Sequence, residues 1–416
     1  MRVLFLHPDL GIGGAERLVV DAGLALQRRG HQVSYVTAHH DRQHCFPETR
    51  DQLPVTVRVA WLPGSVCGRL RALCVYVRML YAALCVVLAP GPRPDLVFCD
   101  QVSACVPLLR WAGLRVLFYC HFPDQLLTAR RSALKRLYRA PLDWLEERST
   151  GAAHRVLVNS AFTGGVFAET FPSLRAGRQP DVLYPSLDLA AFDAPLETTV
   201  EQVLGAPPPP HLLLSLNRFE RKKNLALALD ALAEMERLDA AAVSRCHLVL
   251  AGGYDPQNAE NIAHLAELEA HAAELGVSER VTFLRSPSDA AKRALLRAAT
   301  AVVYTPDREH FGIVPLEAMY CGAPVVAAAS GGPLETVVSG QTGLLCEPRA
   351  QEFAAALLRL VTEPETARRM GEAGRRRVLE NFSFQAFGDR LEKIVTEVVA
   401  ETAGKEGDLG TEKKTE

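Results

Sequence analysis

The 416-residue sequence contains no Asp-x-Asp pair, so it lacks the acidic dyad that would chelate a divalent metal on a diphosphate. It has ten cysteines but no Cys-x-x-Cys and no Cys/His spacing of a zinc site, which sets a structural zinc aside. Cys74, Cys85, Cys99 and Cys246 lie inside apolar runs, as small buried residues do, and point to a reducing compartment. The N-terminus lacks the pattern of a signal peptide, since MRVLFLHPDLGIGG reads as a strand followed by a glycine turn. The catalytic domains are therefore expected to face the cytosol. An excess of charge of one sign is also missing: 46 Lys+Arg stand against 48 Asp+Glu, a formal net charge of -2. That balance argues against a nucleic-acid partner. Basic residues nevertheless outnumber acidic ones over residues 1–200, and the reverse holds afterwards, so the first half is the one expected to meet an anionic surface or substrate.

The length suffices for two domains that each bury a core, and 48% hydrophobic with 23% charged residues is ordinary for a globular chain. The chemistry concentrates in Glu309–Val326, EHFGIVPLEAMYCGAPVV. Two carboxylates, Glu309 and Glu317, flank Gly312 and Pro315. A strand-like run, Thr300–Tyr304, precedes them, and a helix closed by Gly322 follows. Glu309 is thus expected on a loop beyond a strand's carboxyl end, with Glu317 in the opening turns of a helix, in the crevice where open α/β sheets bind ligands. Free N–H groups at Gly312, Ile313 and Val314 suit a phosphate. Carboxylates in the same loop suit hydroxyls. Together they suggest a nucleotide sugar.

Along the first domain, Arg2–Leu6 reads as a strand entering a glycine-rich loop, His7–Gly14, where Gly11, Gly13 and Gly14 allow close backbone approach. The full GxGxxG spacing is absent. Ala72–Ala89 is an apolar run of about 18 residues, at the lower limit for a membrane span, interrupted only by Arg78, which is expected toward the membrane or acceptor, with Arg69 and Arg71 near head groups. Spanning would put the glycine loop and His121 on opposite sides of a bilayer, although both belong to one sheet's crevice. An in-plane helix, one side on the sheet and the other in lipid, is expected instead. The alternative is a helix buried on all sides. His121 follows the strand Arg115–Tyr119, beside the crevice. Leu126–Arg148 reads as a helix with a basic face, Arg130, Arg131, Lys135, Arg136 and Arg139, which could meet anionic head groups or a lipid diphosphate.

Pro207–Pro210 reads as a stiff linker. The strand His211–Leu216 then opens a second domain. Arg218 and Lys223 flank the following turn, so both can reach one diphosphate, Arg as a fork and Lys as a point charge. Gly331 and Gly332 form another tight loop. The expected division is 1–196, a linker 197–210, a donor domain 211–380, a helix 381–400 crossing back, and a structureless tail 401–416.

The Glu-seven residues-Glu pattern with HFGIVPLEAM inside it, joined to this strand, glycine loop and basic pair, resembles the donor site of retaining glycosyltransferase family 4. That resemblance implies an α/β architecture of GT-B type, two Rossmann-like doubly wound domains facing a central cleft. It implies contact of His121 with the transferred sugar, Arg218 and Lys223 on the diphosphate, Glu309 on sugar hydroxyls and Glu317 on the ribose. It also places Gly13 and Gly14 near the donor phosphates and acceptor. The segments DQVSACVPL, FYCHFPD, LKRLYRAP, NRFERKKNLALAL and AGGYD are similar to members that extend a dolichyl-diphosphate-linked oligosaccharide on the cytosolic face of the endoplasmic reticulum. They imply GDP-mannose as donor, no required cofactor or metal, and other early mannosyltransferases as partners. Retention of configuration, by front-face attack assisted by the leaving phosphate, is part of the same implication. Three alternatives are another family 4 glycosyltransferase with a different acceptor, a catalytically silent membrane scaffold, whose mark would be a lost donor-site residue, and a soluble nucleotide-sugar epimerase, which should lack a lipid-binding helix.

Overall fold

The computed structural model describes residues 1–66, 70–128, 133–175, 177 and 179–412, with side chains as far as Glu401. Arg69, Arg130 and Arg131, expected on the membrane-facing surface, lie outside the described residues. The chain forms two compact units, residues 1–186 with 384–416, and residues 187–383.

The first unit carries seven parallel strands: β1 (Arg2–His7), β2 (Gln32–Thr37), β3 (Val55–Val57), β4 (Leu96–Asp100), β5 (Val116–Cys120), β6 (Arg155–Val158) and β7 (Asp181–Val182). Their order is β3-β2-β1-β4-β5-β6-β7. The central strands are largely apolar because helices cover both faces of a parallel sheet. The order reverses between β1 and β4, and such a reversal opens a crevice at the strands' carboxyl ends. His7 is the last residue of β1 and Asp100 the last of β4. Beneath them Phe5 stacks on Tyr35 at 4.8 Å and tilts against Phe98 at 4.9 Å.

The apolar segment forms the helix Arg71–Leu88. By length and a mean hydropathy of 1.8 it could cross a membrane, yet it is packed against the sheet on one side only. Tyr76, Met79, Ala82 and Ala83 are buried, while Leu73, Val77, Leu80, Leu84 and Leu88 are exposed. The exposed set follows helical spacing, one stripe along the cylinder. A helix buried on all sides is therefore not what forms. Arg78 corrects the expectation of a basic group offered to head groups. It turns inward, and its Nη2 donates to the Ala38 carbonyl at 2.7 Å.

The helix expected over Leu126–Arg148 is divided into Asp124–Leu127 and Ala133–Gly151. Its basic face also differs from expectation. Arg139 is 1% exposed and ion-paired with Asp124 at 2.8 Å and Asp143 at 3.0 Å. Lys135 and Arg136 are exposed beside the exposed Leu134, Leu137 and Trp144.

The second unit holds six parallel strands: β8 (His211–Leu216), β9 (Cys246–Gly252), β10 (Val281–Arg285), β11 (Ala299–Tyr304), β12 (Val325–Ala328) and β13 (Gly343–Cys346). Their order is β10-β9-β8-β11-β12-β13, reversing between β8 and β11. The segment expected as pure linker contains a helix, Val200–Leu204, because Thr199 and Gln202 close a capping box. The last helix, Phe384–Glu412, belongs to the first unit and buries Phe387, Leu391, Ile394, Val395 and Val398. It continues to Glu412 where a structureless tail was expected; once nucleated and packed, a helix extends at little cost.

Candidate active site

In the second unit, the carboxyl ends of β8, β9, β10 and β11 open on a cavity of about 480 Å³. Its walls include Arg218, Lys223, Lys292, Glu309, Gly312, Ile313 and Val314. Glycine makes the close approach of its loops possible. A Cβ on Gly331 would lie 2.3 Å from the Glu309 carbonyl oxygen, and one on Gly332 would lie 2.1 Å from that of Phe311. Gly312 itself, at φ 77°, starts the helix Ile313–Tyr320 from the left-handed region. Pro315 sits in the first turn, where it forfeits no internal hydrogen bond. The N–H groups of Ile313 and Val314 are left facing the cavity end of the helix, a ready anion site.

The charged groups are arranged in two pairs. Lys223 Nζ contacts Glu309 Oε2, and the Lys223 backbone carbonyl accepts from Thr305 Oγ1 at 2.8 Å. Lys292 Nζ meets Glu317 Oε1 at 2.7 Å. Glu317 is 6% exposed, and its Oε2 is buried without a hydrogen-bond partner among the described residues. An orphaned buried oxygen of this kind costs about 1–3 kcal/mol, and a donor such as a ribose hydroxyl would relieve it. Arg218 is 60% exposed and pairs with Glu220 at 2.9 Å, so its guanidinium is free to swing toward a phosphate. The structure thus brings Arg218, Lys223, Glu309, Gly312, Ile313 and Val314 to one cavity, with Glu317 tied to its wall through Lys292.

Lys292 was not legible in the sequence. It lies inside the helix Asp289–Ala298, and nothing in its local pattern separates it from a solvated lysine.

His121 lies in the first unit. There Asp100 is fully buried between two histidines, 2.8 Å from His121 Nε2 and 2.9 Å from His7 Nδ1. Each histidine nitrogen thus faces its own Asp100 oxygen. His7 Nε2 lies 3.7 Å from Glu16 Oε1. Burial alone would lower the His7 pKa, but Asp100 and then Glu16 outweigh it and raise it to about 9. Burial would raise Asp100, and the two histidines pull it down to about 2. Gly13 caps the helix Gly14–Arg28, and a Cβ there would lie 2.3 Å from Glu16 Oε2. A Cβ on Gly14 would meet nothing within 4 Å, so the space beside its backbone is open to a ligand. Arg17, in the first turn of this helix, is committed to Asp21 and Glu48. His7 and Asp100 could have been found by the argument that singled out His121, a polar residue at a strand's carboxyl end.

This cluster has a consequence for stability. A histidine whose folded pKa is raised from 6.5 to about 9 stabilises fully below pH 6.5, and its contribution is lost as pH rises through about 9. The melting temperature should fall across that window, and His7→Gln should flatten the fall. Parallel profiles for the two proteins would contradict the assigned charge on His7.

The family model described as Glycosyltransferase Family 4 matches residues 12–191, and that described as Glycosyl transferases group 1 matches residues 197–377. The chain is 52% identical over 402 residues to the α-1,3/1,6-mannosyltransferase of Homo sapiens, covering 95% of this chain and 96% of the relative. It is 43% identical over 424 residues to the α-1,3/1,6-mannosyltransferase of Rhizomucor pusillus, covering 97% and 93%. Among solved structures, sucrose-phosphate synthase from Thermosynechococcus elongatus superposes with a TM-score of 0.72 at 23% identity, covering 96% of this chain and 100% of that one. An Anabaena protein solved with UDP and glucose gives a TM-score of 0.70 at 20% identity, covering 95% and 100%. The two structural likenesses establish the fold.

Proposed function

The chain belongs to the α-1,3/1,6-mannosyltransferases of the family 4 glycosyltransferases, and from that membership we propose that it moves mannose from GDP-mannose to a dolichyl-diphosphate-linked oligosaccharide. The observation that carries the donor half is the cavity in which Arg218, Lys223, Lys292, Glu309 and two helix-end N–H groups converge, with Glu317 paired to Lys292 behind its wall. Phosphate oxygens would be met by Lys223, Arg218 and the N–H groups of Ile313 and Val314, and the developing charge on the leaving GDP would be stabilised there. Diphosphate arrival would draw Lys223 away from Glu309. That carboxylate would then accept hydrogen bonds from the mannosyl hydroxyls. Glu317, steadied by Lys292, would take the ribose hydroxyls on its unpartnered Oε2. His121, held by Asp100, would contact the transferred sugar, and Gly13 and Gly14 would border donor phosphates and acceptor. The anomeric configuration would be retained, with the leaving phosphate assisting attack on the same face. In this division the first unit serves the acceptor and the second the donor.

The working place is the cytosolic face of the endoplasmic reticulum membrane. The stripe Leu73, Val77, Leu80 and Leu84 would lie in the outer part of one leaflet, with Lys135 and Arg136 toward the head groups. Other early mannosyltransferases of the same assembly are proposed neighbours.

No cofactor or divalent metal enters the proposed chemistry, because Lys223 and Arg218 supply the charge that a metal would. Turnover should therefore persist in excess EDTA, and GDP should compete with the donor far better than UDP or ADP. Complete loss in EDTA with recovery on adding magnesium or manganese would overturn the metal-free part. Equal competition by all three nucleotides would overturn the choice of donor.

A further inference from the structure

A second cavity, about 200 Å³ in volume, lies wholly within the first unit, behind the last turn of the Arg71–Leu88 helix. Its walls are Leu4, Val36 and Thr56 from β1, β2 and β3, Val86 and Val87 from the helix, and the loop 89–94. That size is below the roughly 300–1,000 Å³ of drug-sized ligand pockets. It has room for a small polar head group and not for acyl chains.

The charge around it is one-sided. Arg58 and Arg93 line the cavity and no carboxylate does. Both arginines are exposed. Arg93 Nη1 donates to the Ala112 carbonyl at 3.2 Å, which orients the guanidinium without neutralising it. Asp95, at the end of the same loop, is already engaged by Arg2, whose backbone N–H donates to it at 2.7 Å. Two cations with no acid in the wall suit two anionic groups. The helix end supplies the opposite polarity. The last four carbonyls of a helix have no partner within it and carry partial negative charge. Ala89 leaves the helix in an extended conformation, and Pro90 has no N–H to offer, so the chain turns away from these carbonyls. A primary ammonium, with three donors, suits them.

The cavity lies where the exposed stripe of the helix ends. Leu88, 70% exposed, adjoins Ala89, and Trp111, 84% exposed, adjoins Ala112, and both of those alanines are wall residues. An exposed tryptophan beside an apolar stripe matches the depth of lipid head groups. A ligand at this mouth would therefore come from the membrane surface.

We propose that this cavity binds the head group of an anionic aminophospholipid with the chemistry of phosphatidylserine. Its phosphate and carboxylate would meet Arg58 and Arg93, and its ammonium the carbonyls that end the Arg71–Leu88 helix. A lipid bound here is a membrane contact and not the mannosyl acceptor. The assignment rests on the membrane placement proposed above and not on the transfer chemistry.

The test floats the full chain with phosphatidylcholine vesicles that carry a minor fraction of either phosphatidylserine or phosphatidylglycerol. The two are equal in net charge, but the second lacks the carboxylate and the ammonium. Salt is kept high enough to screen diffuse attraction. The wild type should partition about tenfold more strongly to the serine lipid. Arg58→Gln with Arg93→Gln should abolish that preference and leave binding to pure phosphatidylcholine, held by the apolar stripe, as it was. Ala89→Trp, which fills the mouth and leaves the charge alone, should abolish the preference too. Equal partitioning of the wild type to both anionic lipids, or an unchanged preference in the folded arginine variant, would overturn the site. Calorimetry with water-soluble dihexanoyl phosphatidylserine separates the cavity from the membrane placement. If the wild type binds no vesicle, that placement fails, yet binding of the soluble lipid that both variants lose would still assign the cavity. No binding of the soluble lipid, or its displacement by an equal concentration of inorganic phosphate, would remove the assignment.

Discussion

Lys223→Ala is expected to cut turnover roughly a hundredfold to a thousandfold, the loss of about 3–4 kcal/mol that follows removal of one preorganised charge from a transition state. Lys223 is the best-held cation of the cavity. Its backbone is fixed by Thr305, the next residue, Asn224, takes the left-handed conformation at φ 50° that turns the chain, and its side chain is 12% exposed. Removing it also leaves Glu309 without the charge it faces, so the sugar and the diphosphate lose ground together. Arg218→Ala should have a similar direction but a smaller effect, because Arg218 is 60% exposed and more solvated. Steady-state kinetics on folded single and double variants will separate these contributions. Near-normal turnover in the double variant would remove the diphosphate role from both residues.

The second large effect is expected at the membrane. Changing Leu73, Val77, Leu80 and Leu84 together to serine or glutamine should release the protein from vesicles. These side chains are 41%, 45%, 37% and 39% exposed, so each has about 1 kcal/mol of apolar surface left to bury. Four of them amount to about 4 kcal/mol, roughly a thousandfold in partitioning. Because the stripe points away from the core, the melting temperature should change little. Val75 and Val87, on the same helix, are half-buried against the fold and would confuse the comparison. Anchoring by apolar surface should persist at high salt, whereas Lys135 and Arg136 would add only a screened contribution. Activity on a long-chain lipid acceptor should fall, and activity on a lipid-free mannosyl-chitobiose trisaccharide should not. Full retention on vesicles by a folded variant would show that this face does not hold the protein to lipid.

How far the sequence carried can be judged residue by residue. The cavity proposed to take the donor draws on parts that are local in sequence: a strand, a glycine loop and a helix opening with proline place Glu309, Gly312 and Glu317 within nine residues, and Arg218 and Lys223 share one turn. The strand His211–Leu216 has the same limits in sequence and structure because both flanking segments break its apolar run. Other features depend on contacts that sequence spacing does not encode. Lys292 reaches Glu317 only because one helix packs beside another. Arg139 reads as one more cation on a basic helix face, yet Asp124, fifteen positions earlier, draws it into the core. Arg78 reads as a charge exposed to lipid, yet it ends on a backbone carbonyl forty residues away. The same holds for the cavity behind the end of the Arg71–Leu88 helix, whose walls come from segments far apart in the chain.

The most direct measurement is transfer itself. Purified full-length protein in liposomes is incubated with GDP-mannose and a dolichyl-diphosphate-linked mannosyl-chitobiose, and the released glycans are analysed for linkage and anomeric configuration. The expected result is addition of one and then a second mannose, α-1,3 and α-1,6 linked with retained configuration, and no addition when Glu309 and Lys223 are both replaced by alanine in a folded protein. Absence of transfer by the wild type, or undiminished transfer by that double variant, would contradict the assignment of the donor cavity as the catalytic site.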